Sequence, residues 1–117
     1  MTTDRQPPSN GYRQGQPALT VTDNLRAGRF ELRVGDEFAG YATYRDGASG
    51  RAFEHTVIAA EFEGRGLATE IIRFALDEAT RAHRRVLPFC PFVRLFIETH
   101  PDYLTLVVQP ERFGLTP

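Results

Sequence analysis

The sequence predicts an α+β domain, with a mixed, mostly antiparallel sheet, a long helix between strands four and five, and a short C-terminal helix. Residues 28–35 alternate apolar and polar side chains, which is the period of a half-buried strand. Residues 64–83 instead repeat apolar side chains every four residues, which is typical of an amphipathic helix packed on a sheet. Such a helix joins its flanking strands in parallel, whereas tight turns join the earlier strands in antiparallel pairs.

Four strands separated by glycine-containing turns are predicted before the long helix. They cover residues 18–24, 28–35, 38–45 and 51–60. Simple alternation in the fourth strand predicts that Phe53, His55 and Val57 share one face while Glu54, Thr56 and Ile58 share the other.

After the long helix the chain predicts a short fifth strand over residues 84–90 and a second helix over residues 93–100. The second helix is expected to stop before Pro101, because a residue preceding proline disfavours helical backbone. Residues 102–107 are predicted as a last short strand or a turn.

The 117 residues predict one domain with a tail at each end. Residues 1–17 contain three prolines and little that is apolar, so they are predicted as a disordered N-terminal tail. Residues 18–110 are predicted as the domain. Residues 111–117 are predicted as a C-terminal tail that leaves the fold.

The charge pattern narrows the classes of partner. The formal net charge is −1, which gives no overall field toward nucleic acid or an anionic membrane. All 14 positively charged residues are arginine, so an anion must be held by arginine and backbone N–H groups. No apolar run has the length of a membrane span or a secretory signal, so the expected location is the cytoplasm. The three histidines are too scattered to predict a metal site.

The stretch EFEGRGLATEII, residues 61–72, places two glycines around an arginine at the start of the long helix. A helix N-terminus has unpaired N–H donors and attracts anions, and glycine lets a phosphate approach the backbone closely. The N–H groups of Gly64 to Ala68, the guanidinium of Arg65 and the hydroxyl of Thr69 are therefore candidate phosphate donors. The alternative is a tight strand-to-helix turn with no ligand. Neither a P-loop nor a dinucleotide-binding GxGxxG pattern is present.

Three motifs together resemble the GNAT superfamily of N-acetyltransferases, in particular its small single-domain branch with a cysteine after the fifth strand. They are His55-Thr56-Val57, Gly64-Arg65-Gly66-Leu67-Ala68 and Pro88-Phe89-Cys90-Pro91-Phe92-Val93. The resemblance implies an acetyl-CoA-dependent N-acetyltransferase whose fourth strand pairs with the pantetheine arm of the cofactor. Carried onto this chain, the cofactor-binding residues are Thr56, Val57, Ile58, Glu63, Gly64, Arg65, Gly66, Leu67, Ala68 and Thr69. Glu63 departs from the family pattern, which has glutamine or arginine there.

Three side chains are candidates for the chemistry. Because strands four and five are predicted to be parallel neighbours, they bring His55 and Cys90 to the same end of the sheet. Cys90 could then accept the acetyl group as a nucleophile, with His55 as its base. Glu54 is the competing base, since many members of the superfamily use a glutamate on this strand. A cysteine in an apolar setting is also ordinary core filler, and His55 could be structural.

The acceptor is an amine of unidentified kind, either a small molecule or a protein, and the oligomeric state is not predicted. Two other functions stay open. One is a module that binds CoA or acyl-CoA without turnover. The other is a protein-interaction domain that keeps the fold without the ligand.

Overall fold

The computed structural model describes residues 17–116, and it contains one five-stranded sheet and two α-helices. The strands are β1 (Leu19–Asn24), β2 (Arg29–Val34), β3 (Glu37–Gly47), β4 (Gly50–Ile58) and β5 (Val86–Pro88), and the helices are α1 (Leu67–Arg81) and α2 (Pro91–Thr99). The sheet order is β1-β2-β3-β4-β5; the first four strands are antiparallel, and β5 is parallel to β4. The predicted α+β fold is therefore confirmed.

One hydrophobic core lies between the sheet and the two helices. The apolar stripe of α1 is buried against β2, β3 and β4, while α2 packs against α1 and β5. Burying large apolar side chains contributes about 1.5–3 kcal/mol each, so these faces hold the layers together. The largest side chains with almost no exposed surface are Phe30, Leu32, Phe53, Ile71, Leu76 and Ile97.

A β-bulge in β4 changes which side chains share a face. Thr43 pairs with His55, but the next residue of β3, Tyr44, pairs with Phe53, so Glu54 is an extra residue. Directly paired residues of antiparallel strands lie on the same face of the sheet. The pairing of Ala42 with Thr56 therefore puts Thr56 on the core face.

His55 lies on the opposite face from Thr56 because its partner Thr43 does. His55 and Val57 share the outer face as predicted, but Phe53 lies on the core face, so the predicted grouping of all three was wrong. Simple alternation fails at this strand because the bulge inserts one residue between Phe53 and His55.

β4 and β5 separate halfway along β4. Their ladder covers only three pairs, from Arg51 with Val86 to Phe53 with Pro88. The Cys90 N–H then donates to the Phe53 carbonyl at 2.9 Å. Beyond that bond, in the described chain, no strand pairs with the side of residues 54–58 that faces β5. A gap consequently opens along one edge of β4.

A buried arginine ties β3 to β4 at the other end of their hairpin. Arg51 is 3% exposed and donates two hydrogen bonds to the carboxylate of Asp46, at 2.7 and 2.9 Å. Its guanidinium carbon lies 3.7 Å from the centroid of the Tyr44 ring. The Tyr44 hydroxyl in turn donates to Asp23 at 2.6 Å. These charge-assisted bonds give the buried charge its partners.

The chain after α2 differs in part from its prediction. Residues 102–107 were predicted as a strand or a turn, and Pro101–Leu106 form a 3₁₀ helix, which is a succession of tight turns, before Val107 bridges Val86 in parallel. The predicted C-terminal tail over 111–117 does not leave the fold within its described part. Leu115 is 4% exposed in the core because the 3₁₀ helix Pro110–Phe113 turns the chain back.

The predicted N-terminal tail, residues 1–17, lies outside the described residues except for Pro17. Neither α1 nor α2, nor any other helix within residues 17–116, has the length and apolar character needed to cross a membrane.

Candidate functional site

A cavity of about 430 Å³ lies between the part of β4 that no longer pairs with β5 and the N-terminus of α1. It follows the unpaired edge of β4 and reaches the glycine loop before α1. The wall of the cavity is mostly apolar, with backbone atoms of the loop at one end. Its lining residues are Thr56, Val57, Ile58, Phe62, Glu63, Gly64, Gly66, Leu67, Ala68 and Phe92.

The glycine loop has a left-handed backbone that favours glycine. Gly64 and Gly66 have φ of 81° and 73°, and a Cβ added at either position would meet no atom within 4 Å. The turn therefore needs glycine for its backbone conformation, not because a neighbour crowds the position. Both glycines also line the cavity.

Unpaired donors begin α1 at this end of the cavity. Gly66 is the N-cap and has no side-chain capping bond. Among the hydrogen bonds within residues 17–116, none uses the N–H of Leu67, Ala68 or Thr69. These donors and the positive end of the helix dipole form an anion-binding arrangement.

The remaining predicted donors lie beside the cavity without lining it. Arg65 is exposed, and its guanidinium carbon is 5.1 Å from the centroid of the Phe62 ring. No carboxylate lies within salt-bridge distance of Arg65 in the part of the chain that the structure describes. Thr69 is exposed one residue beyond the lining. Glu63 does line the cavity, and a carboxylate at this position adds no attraction for an anion.

The edge of β4 supplies the other wall. Thr56, Val57 and Ile58 all line the cavity, and none of them is paired on the side toward β5. Val57 belongs to the outer face of the sheet and Thr56 to the core face. The cavity therefore touches both faces through the gap, so a bound molecule could be reached from either side.

The candidate nucleophile Cys90 lies just behind this wall. It is 1% exposed and is the N-cap residue of α2. Its sulfur is 3.3 Å from the hydroxyl oxygen of Thr56. Cys90 does not itself line the cavity, whereas Thr56 does.

The two candidate bases lie away from Cys90. His55 is exposed on the outer face, and no hydrogen bond within residues 17–116 joins its ring to the Cys90 thiol. Glu54 is the bulged residue and forms an ion pair with Arg45 at 2.6 Å. The structure thus separates the predicted His55 and Cys90 pair and brings Thr56 to the sulfur instead.

Two lining residues were not among the predicted site residues. Phe62 precedes the glycine loop, and Phe92 stands two residues after Cys90 at the aromatic position of the third motif. The motif itself could have identified Phe92. Phe62 has no comparable signal, because only the turn Ala60–Phe62 directs its ring inward. Within the described chain, no cluster of three histidine, cysteine or acidic side chains could hold a metal ion.

A family model described as GCN5-related N-acetyl-transferase matches residues 29–106 of this chain. The chain belongs to this family. The match covers β2 to the end of the 3₁₀ helix after α2, so the N-acetyltransferase family model includes the entire cavity. The predicted resemblance to the GNAT superfamily is confirmed, and the chain is an acyltransferase by class.

The fold of this N-acetyltransferase family member is also similar to a solved structure. An NMR solution structure of a GCN5-like protein from Staphylococcus aureus matches it with a TM-score of 0.59 and 16% identity. The match covers 77% of this chain and 88% of that chain. No curated protein sequence matches this chain significantly. Members of the family generally use acetyl-CoA as the acyl donor.

Proposed function

We propose that this protein transfers an acetyl group from acetyl-CoA to an amine. The observation that carries the proposal is one continuous cavity with unpaired helix amides at one end and an unpaired strand edge along its side. A diphosphate joined to an extended arm with amide groups would use both features, the helix amides for the diphosphate and the strand edge for the arm.

The residues divide the binding between them. The N–H groups of Leu67, Ala68 and Thr69 face the diphosphate, and Arg65 adds a charge from outside the cavity. Backbone groups of residues 56–58 pair with the arm as a neighbouring strand would. Phe62 and Phe92 cover its apolar parts. Glu63 contributes no favourable charge, so the backbone amides carry most of the recognition of the anion.

Acetyl-CoA supplies an activated thioester, and the chain's own groups determine how the acetyl group leaves it. In a two-step route, the Cys90 sulfur forms a bond to the acetyl carbon while the bond from that carbon to the CoA sulfur breaks; the amine then takes the acetyl group from Cys90. In a direct route, the amine attacks the thioester with His55 or Glu54 as base. The contact between Cys90 and Thr56 favours the first route.

Binding is the first test of the proposal. Isothermal titration of the full chain with CoA and acetyl-CoA should give saturable binding, and either ligand should raise the melting temperature. Absence of binding at millimolar ligand would refute the enzyme proposal and leave an interaction domain. Binding without acetyl transfer to any of a broad panel of amines would favour a CoA-binding module.

A further inference from the structure

Thr56 stands between the cavity and the only cysteine of the chain. Thr56 is one of the residues that line the cavity, and its hydroxyl oxygen lies 3.3 Å from the Cys90 sulfur. Cys90 is 1% exposed, and among residues 17–116 the Thr56 hydroxyl is the one hydrogen-bond partner of its sulfur. Any proton that leaves the thiol for the cavity therefore meets this hydroxyl first.

The bulge at Glu54 creates this contact. Because Glu54 is unpaired, Thr56 pairs with Ala42 and turns toward the core, where Cys90 lies. The backbone of Cys90 is also fixed, because its N–H group donates a hydrogen bond to the Phe53 carbonyl at 2.9 Å. Two adjacent pieces of backbone thus fix the hydroxyl and the sulfur relative to each other.

Among the described residues, no other hydroxyl touches the Cys90 sulfur. The aromatic residues that follow Cys90 on α2, Phe92 and Phe96, have no acidic proton. The Tyr103 hydroxyl donates a hydrogen bond to the Asp77 carboxylate at 2.5 Å. Tyr103 also lines a different pocket, which Arg73 and Asp77 of α1 line as well. Among the described residues that line the cavity, Thr56 is the one whose hydroxyl touches the sulfur.

We propose that Thr56 relays the Cys90 proton during acetyl transfer, an inference that rests on the proposed function. The Cys90 sulfur bonds to the acetyl carbon as the carbon to CoA sulfur bond breaks. The Cys90 proton moves to the Thr56 oxygen, while the Thr56 proton moves to the departing CoA sulfur. The products are S-acetylated Cys90 and the free thiol of CoA, and Thr56 ends unchanged.

The test compares Thr56→Val, which removes the hydroxyl at nearly constant shape, with Thr56→Ser, which keeps it. Each protein is mixed with acetyl-CoA, acid-quenched over a time course, and weighed intact, with Cys90→Ala locating the acetyl group. T56V should be acetylated about 10²- to 10⁴-fold more slowly than wild type, the usual size of a lost proton-transfer group. T56S should recover most of the rate. CoA affinity should be unchanged in both variants, because the backbone binds the arm.

Four results would overturn the relay. T56V could be acetylated at the wild-type rate. T56S could lose as much rate as T56V, or both could lose CoA affinity in proportion, which would mark a structural role. Wild-type protein that binds acetyl-CoA but never gains an acetyl group on Cys90 would also overturn it. The proposed function fails on a different measurement, the absence of CoA binding by the wild type. Should T56V not fold, T56A and T56S give the same comparison.

Discussion

The substitution Gly66→Ala separates the conformational role of the glycine loop from its role in binding. The added Cβ would meet no atom within 4 Å, so no clash contributes to the effect. The cost to folding comes from the φ of 73°, which is unfavourable for alanine by about 1–2 kcal/mol. For a domain near this size each kcal/mol lowers the melting temperature by about 4–8 °C. A fall of roughly 4–16 °C is therefore expected.

Gly114→Ala is a matched control. Gly114 has a φ of 74°, an added Cβ would again meet nothing within 4 Å, and the residue ends the 3₁₀ helix Pro110–Phe113. Gly114 does not line the cavity between the edge of β4 and the glycine loop. Gly114→Ala should therefore lose about as much stability as Gly66→Ala while binding CoA as the wild type does.

The binding loss follows from the position of Gly66. Its added methyl group would stand in the cavity in front of the unpaired amides and hold a phosphate away from them. One hydrogen bond to a charged group is worth about 1.5–3 kcal/mol, which corresponds to a roughly 10- to 150-fold rise in Kd. Isothermal titration with CoA, at a temperature where both variants are folded, measures this change. Equal CoA affinities for Gly66→Ala and Gly114→Ala would refute the amide site.

Two predictions concern stability. Asp46→Asn should lower the free energy of unfolding by about 1–2 kcal/mol in urea at neutral pH. This is less than for a fully buried pair, because the Asp46 side chain is 46% exposed. Glu54→Gln, at the exposed pair with Arg45, should change the free energy of unfolding by no more than about 0.5 kcal/mol. The hydrogen bonds from Arg51 lower the pKa of Asp46 below its ordinary value of 3.8. The difference in stability between wild type and Asp46→Asn should therefore be full above about pH 5 and shrink as pH falls below about 4. A difference in stability that does not depend on pH would contradict this. Burial, with the bond to Asp23, raises the pKa of Tyr44 from 10.0 to about 12, so its stabilisation is present below pH 10 and is lost as pH rises toward 12. Tyr44→Phe should cost about 1 kcal/mol and remove one late ionisation from an ultraviolet titration; an unchanged titration would show that Tyr44 ionises normally.

Much of the fold followed from patterns that are local in the chain. The apolar stripe predicted α1, although the helix begins at Leu67 and not at Gly64, because both glycines are left-handed. The five strands were predicted in order, since turns and alternation depend on near neighbours. The C-terminal segment was missed because the burial of Leu115 depends on a surface that forms only after folding.

The sequence by itself determined the glycine loop, because glycines before an amphipathic helix fix a left-handed turn and leave helix donors unpaired through local geometry alone. It also determined the parallel pairing of β4 with β5, since a helix must separate such strands. Only the tertiary structure decided which β4 side chain meets Cys90. The bulge at Glu54 depends on the register with β3. Because of this bulge, Thr56 lies on the core face and His55 on the outer face.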